Sequence, residues 1–191
     1  MKIFIITVAV VILYSFTMVF TQDYRQAQVN SYRLKYVCEE LSATGASFFD
    51  REKYSDGYTV FKTGEGINAI KDQLTSLLSV DSSMTPVANS YWSKNIKYKV
   101  YFYDDLGICK VYTNGSPDRE VAFNYGNSHK DDWTSYNVVI SDPTVVVTID
   151  AGPGRFRLKF LDPIPDIIRS SSHEWEGRYM LMFFIKKQLK S

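Results

Sequence analysis

The stretch IFIITVAVVILYSFTMVF, from Ile3 to Phe20, directly follows Lys2 and contains no charged side chain. As an α-helix it is about 27 Å long, close to the roughly 30 Å hydrocarbon core of a bilayer. A cleaved signal peptide has a shorter apolar stretch, of about 7–15 residues, followed by small residues around the cut. Here bulky Met18, Val19 and Phe20 stand where those small residues belong. The run therefore reads as a retained transmembrane anchor over residues 1–22, with Ile3, Val10, Leu13, Phe16 and Phe20 among the side chains expected to face lipid. The competing reading is a buried core helix, which would also be apolar on all sides.

Downstream of the run, Tyr24, Ala27, Ser31, Leu34, Cys38, Leu41, Gly45 and Phe48 recur at alternating spacings of three and four. Arg25, Gln28, Arg33, Lys35, Glu39 and Glu40 fall mostly off that stripe, so an amphipathic helix over residues 23–50 is expected to continue the anchor. Tyr24, Ala27, Ser31, Leu34 and Cys38 are expected to form an interface with a partner helix, either another copy of the chain or another assembly subunit. The reason is that small Ala27 and Ser31 permit close helix approach near the membrane. Farther along, from Leu41 to Phe49, the stripe is expected to pack on the chain's own domain.

The remainder, residues 51–191, reads as one extracytoplasmic α+β domain. Ile67, Ile70, Leu74, Leu77 and Leu78 share a helical face behind Glu65, whose charge suits a helix start. Pro86 keeps the connector from Val80 to Ser90 out of a helix. From Lys97 the period changes to two. KYKVYFY, ICKVYT, REVAFNYG, SYNVVISD, TVVVTID and FRLKFL are read as strands, and GRYMLMFFIK as a last strand or a short helix. The expected fold class is α+β: a transmembrane helix running into a long amphipathic helix, packed on a mainly antiparallel sheet.

Composition narrows the function classes. The 22 basic and 21 acidic side chains nearly cancel and form no basic stripe, so no nucleic-acid partner is expected. Cys38 and Cys109 are the two cysteines; they suit either one disulfide outside the cell or two buried thiols. His129 and His173 have no companions at zinc-ligand spacing. SSSH at Ser170–His173 lacks the context of a nucleophile and base and is read as a solvated loop. Asp104-Asp105 and Asp131-Asp132 fall where turns are expected, without the ligand periodicity of a calcium loop. GPGRF, beginning at Gly152, has no following helix to cradle phosphate and is read as a turn. No enzyme, metal or cofactor is expected.

Orientation rests on a balance. Arg25, Arg33 and Lys35 follow the apolar run, and counted strictly they do not favour an external C-terminal domain. A two-residue flank carrying Lys2 stays inside readily, and an aromatic, cysteine-poor, β-rich remainder suits export. The expected location is the cell membrane, single-pass, with the C-terminal domain outside.

Three stretches carry a family likeness: Val37–Leu74, YKVYFYDD at Tyr98–Asp105, and RFRLKFLDPIPDIIRSSSHEWEG at Arg155–Gly177. With the order of the parts, the chain resembles the TadE-like minor pilins and pseudopilins of tight-adherence (Tad/Flp) pilus systems, in their Gram-positive form. The resemblance implies a non-catalytic structural component of a surface pilus or secretion-like assembly. Its partners would be membrane lipid and other pilin or assembly-platform subunits, with homo-oligomerisation left open. Family members usually carry a glycine before the apolar run and a glutamate early within it. Neither is found here, which points to a membrane-held assembly component more than a major filament subunit. A reading from a different class is an anchored recognition module, binding a glycan, peptide or protein through Tyr91, Trp92, Tyr101, Tyr103, Trp133 and Tyr136.

Overall fold

A computed structural model describes residues 2–157 and 165–175 of the chain. One helix, α1 (Lys2–Ser47), carries both the apolar run and the amphipathic continuation, over 46 residues and about 69 Å. It ends two residues short of the expected Phe49. There Asp50 caps the five-residue helix α2 (Arg51–Ser55), its carboxylate accepting from the N–H groups of Glu52 and Lys53. Phe49 and Phe61 pair as an isolated bridge that closes this turn. Helix α3 (Thr63–Leu78) buries Ile67, Ile70, Leu74 and Leu78, as the spacing predicts, and stops at Ser79 in the left-handed conformation.

The sheet has order β3-β2-β1-β6-β7 and is antiparallel at every pairing. Its strands are β1 (Lys97–Tyr103), β2 (Ile108–Thr113), β3 (Ser116–Ala122), β6 (Thr144–Asp150) and β7 (Ile168–Glu174). A separate hairpin pairs β4 (Ser128–Lys130) with β5 (Asn137–Val139). The α+β expectation holds.

Alternation along the two inner strands explains the layers. Tyr98, Val100, Phe102, Val145, Val147 and Ile149 enter one core with Leu34, Cys38, Leu41, Ile70 and Leu74 from the helices. Tyr101, Tyr103 and Val146 point the other way and meet Cys109, Val111 and Ile140, with Tyr136 and Val138 packed against them. Both faces of β1 and β6 are therefore covered, which accounts for the continuous apolar runs in their sequences. At Gly45 a Cβ would lie 2.9 Å from Ile70 Cδ1 and 3.1 Å from Val145 Cγ1. The missing side chain is what lets α1 settle between α3 and the sheet.

Three sequence expectations change. Leu34 through Ala46 share a core with the sheet, so no structural boundary falls at residue 50. SSSH is not a solvated loop but the middle of β7, beside α1. Small serines let helix and strand approach closely, and edge pairing with β6 supplies the backbone partners that the polar sequence conceals. Of FRLKFL, Phe156 and Arg157 belong to a loop. The rest of that stretch, and GRYMLMFFIK, lie outside the described residues.

Candidate functional site

The apolar run of α1 stands clear of the domain. None of its most hydrophobic window is buried inside the protein, and Ile3, Val10, Leu13, Phe16 and Phe20 are all exposed. A helix wrapped in water would not leave so much apolar area uncovered, whereas lipid covers it. The Ser and Thr side chains in the run satisfy themselves. The hydroxyls of Thr7, Ser15 and Thr17 donate to the carbonyls of Ile3, Val11 and Leu13, four residues back, at 3.0, 2.8 and 2.9 Å. Thr21 donates to Thr17 O at 2.8 Å in the same way. This is the arrangement hydrocarbon requires, because no water is available there to accept those protons. Among the described residues, one helix is thus long and apolar enough to cross a membrane.

The end of the run is marked chemically. Phe20 stacks on Tyr24 at 6.5 Å between ring centroids, and the next polar groups are held rather than free. Asp23 is buried: its Oδ2 accepts from Arg157 N–H at 2.8 Å, and Arg157 Nε lies 3.9 Å from Oδ1. Gln22 Oε1 accepts from Arg157 Nη1 at 3.0 Å. Burial, helped by the Asp23 charge, pushes the nearby Tyr91 phenol up.

The expected partner-helix interface divides on inspection. Leu34 and Cys38 are wholly buried in the chain's own core, and Cys38 Sγ donates to Arg169 O at 3.2 Å. Ser31 accepts from the Arg169 guanidinium of β7. These three are therefore occupied by the domain, and the expectation is corrected for them: sheet packing begins lower on the helix than the size of the stripe residues suggests. Tyr24 is exposed and Ala27 half-buried. The apolar face that α1 does turn outward is a different one, Val29, Tyr32 and Tyr36, beside Arg33 and Leu77. Arg33 donates to Leu77 O at 2.8 Å, neutralising the negative end of α3. The signal for this face was in the sequence, at spacings of three and four, but the neighbouring stripe carries the same period.

On the opposite side of the sheet the β4–β5 hairpin covers a polar cluster. Tyr103 Oη lies 2.6 Å from His129 Nδ1, and His129 Nε2 lies 4.0 Å from Asp131 Oδ2. Burial pushes the Tyr103 phenol up, so it keeps its proton, and it shares one hydrogen bond with Nδ1. Desolvation holds the imidazole below its usual range despite the opposing Asp131 and Asp132. Asp131 Oδ1 accepts from the N–H groups of Trp133 and Thr134 at 2.6 and 3.1 Å, and Oδ2 accepts from the Thr148 hydroxyl. Thr148 and Ser170 share a further bond at 2.8 Å. The order Tyr-His-Asp suggests a proton relay, but at 4.0 Å His129 Nε2 makes no hydrogen bond to Asp131, and the two side chains are only 1% and 0% exposed. What this cluster does chemically is fasten the hairpin to β6 and β7.

The other candidates resolve similarly. Trp92, Tyr101 and Tyr103 are core residues, and Trp133 lies under Lys99 at 4.8 Å, so most of the proposed aromatic surface is already in use. Asp104 Oδ1 accepts from Leu106 N–H, and Asp105 Oδ2 from Thr59 N–H at 2.7 Å. Asp132 joins Lys99 at 3.0 Å and Arg119 at 2.7 Å, which hold its carboxyl below the usual range. Among the described residues no three His, Cys, Asp or Glu side chains come together as a metal site. Cys38 and Cys109 are free thiols in the two cores on opposite faces of the sheet. GPGRF is the loop that reaches Asp23. No family model, curated protein or solved structure matches the chain.

Proposed function

We propose that this protein is a single-pass, membrane-anchored structural component of a bacterial surface pilus or secretion-like assembly, with its α+β domain outside the cell. The observation that carries the reading is the apolar run of α1: uncovered by protein, its Ser and Thr hydroxyls bonded to their own backbone, and continuous with the domain's first core helix. A continuous helix transmits position rigidly from the bilayer to the domain, as a scaffold part requires. The outward Val29–Tyr32–Tyr36 face supports a role in assembly, since it offers apolar area at helical spacing just above the membrane. The TadE-like resemblance is consistent with the same layout.

Cell fractionation and protease shaving test the reading. The chain is expected in the membrane fraction, with the domain digested from outside intact cells and the α1 run protected. A soluble chain, or a domain protected from external protease, would sink the idea. The recognition-module alternative is weaker, because Trp92, Tyr101 and Tyr103 are buried.

A further inference from the structure

Strand β7 rises beside α1, away from the apolar run: Arg169 near its start meets Ser31, and Trp175 just past its end packs on Phe49 at 4.3 Å. Because β6 runs antiparallel to β7, the chain leaving β6 heads back toward the apolar run. Two backbone hydrogen bonds join the chain leaving β6 to the chain entering β7. Ala151 N–H donates to Ile167 O at 3.1 Å, and Ile167 N–H to Gly152 O at 2.9 Å. From there Gly152–Arg157 descends beside Tyr91 and Ser93. Arg155 N–H donates to Tyr91 O at 3.0 Å, and Ser93 Oγ to Pro153 O at 2.8 Å. Gly154 suits this contact, since a Cβ there would collide with the Tyr91 side chain.

At Arg157 this segment bonds Gln22 and Asp23. Asp23 lies three residues past Phe20, about 4.5 Å along the helix axis. Arg157 is thereby fixed at the height where hydrocarbon gives way to headgroups. The Phe20–Tyr24 stack marks the same level, as aromatic pairs do at membrane interfaces.

We propose that the Arg155–Phe156–Arg157 segment is a membrane-surface contact that takes anionic phospholipid headgroups, giving the domain a second attachment beside its anchor. The inference rests on the reading of α1 as a membrane helix. Three cationic side chains among the described residues serve it. Arg25 and Arg155 are exposed, and Arg157 is 65% exposed, while the Asp23 carboxylate beneath it is covered. Guanidinium groups suit phosphate oxygens because their planar fork donates two parallel hydrogen bonds. Phe156, half-buried between the two arginines in sequence, adds apolar area at the same level. Each arginine near an anionic surface is worth about a fivefold gain in association.

The test uses the full chain in phosphatidylcholine vesicles, with and without phosphatidylglycerol, containing a lipid that carries a nitroxide on its headgroup. A fluorophore is placed on Phe156→Cys, or for comparison on Ser141→Cys at the far end of β6; the native thiols are buried and do not compete. Quenching at position 156 is expected to exceed that at 141 by about threefold or more and to rise with phosphatidylglycerol. It should fall in high salt and with Arg155→Glu, recover with Arg155→Lys, and ignore millimolar inorganic phosphate. Equal quenching at the two positions, indifference to phosphatidylglycerol, or reversal by phosphate alone overturns the proposal, the last by showing a free-anion site. A chain that floats with the vesicles while position 156 stays unquenched overturns this inference only. A chain that fails to float overturns the anchor reading with it.

Discussion

Leu34→Ala decides whether the helical stripe belongs to the domain or to a partner. Leu34 is wholly buried, between Ser31 and Cys38, both of which bond Arg169 of β7. Truncation removes three carbons from the core, worth about 2.4 kcal/mol at roughly 0.8 kcal/mol each. The cavity left behind adds to this, because Cys38 and Leu41 are fixed by the same helix and cannot collapse into it; the total expected is about 3 kcal/mol. Urea unfolding of the full-length chain in mild detergent, followed by fluorescence of Trp92 and Trp175, measures it. With a urea slope of about 2 kcal/mol per molar, the midpoint should fall by about 1.5 M. Tyr36→Ala, on the outward face, should move it by less than about 0.25 M. If Leu34→Ala leaves the midpoint unchanged while assembly is lost, the core assignment is wrong and the stripe does face a partner.

Other consequences follow from the two buried sides of the sheet. Asp131→Ala strands the N–H groups of Trp133 and Thr134 and the Thr148 hydroxyl, and should cost about 2–4 kcal/mol by the same assay; Asp131→Asn should cost about half. An Asp131→Ala variant as stable as the parent would refute a fastening role. His129 is held below its usual range by burial, so the unfolded chain binds its proton first as pH falls through about 6.5. Stability should therefore decline between about pH 7.5 and pH 5.5, and His129→Gln should flatten that slope; an unaltered slope would refute the assignment. Burial pushes the Cys109 thiol up to about 11 and the Cys38 thiol up as well, so neither should react with a thiol reagent in the folded chain, and both should after unfolding. Fewer than two thiols after denaturation without reductant would show that a disulfide had formed.

The sequence alone determined the elements whose signal is local. The uncharged run from Ile3 to Phe20, the three-and-four spacing along α1 and α3, and the alternation in KYKVYFY and TVVVTID each follow from backbone period and side-chain type. What covers each face was not determined, because periodicity groups side chains on one side of an element without naming the neighbour. Two stripes on α1 share one period; only the position of β7 made Leu34 and Cys38 core and left Val29, Tyr32 and Tyr36 outside. β7 itself was hidden because its pairing with β6 supplies the strand character that Ser170, Ser171 and Ser172 lack. Asp131, written in the sequence as a turn residue, became the fastener of a hairpin because the fold brings Thr148 to it. GPGRF reads as a turn by itself; the contact of the next residue, Arg157, with Gln22 and Asp23 joins positions 134 and 135 apart in the chain. Contacts of that range arise from the packing of α1, β6 and β7 together, which no local pattern in the chain encodes.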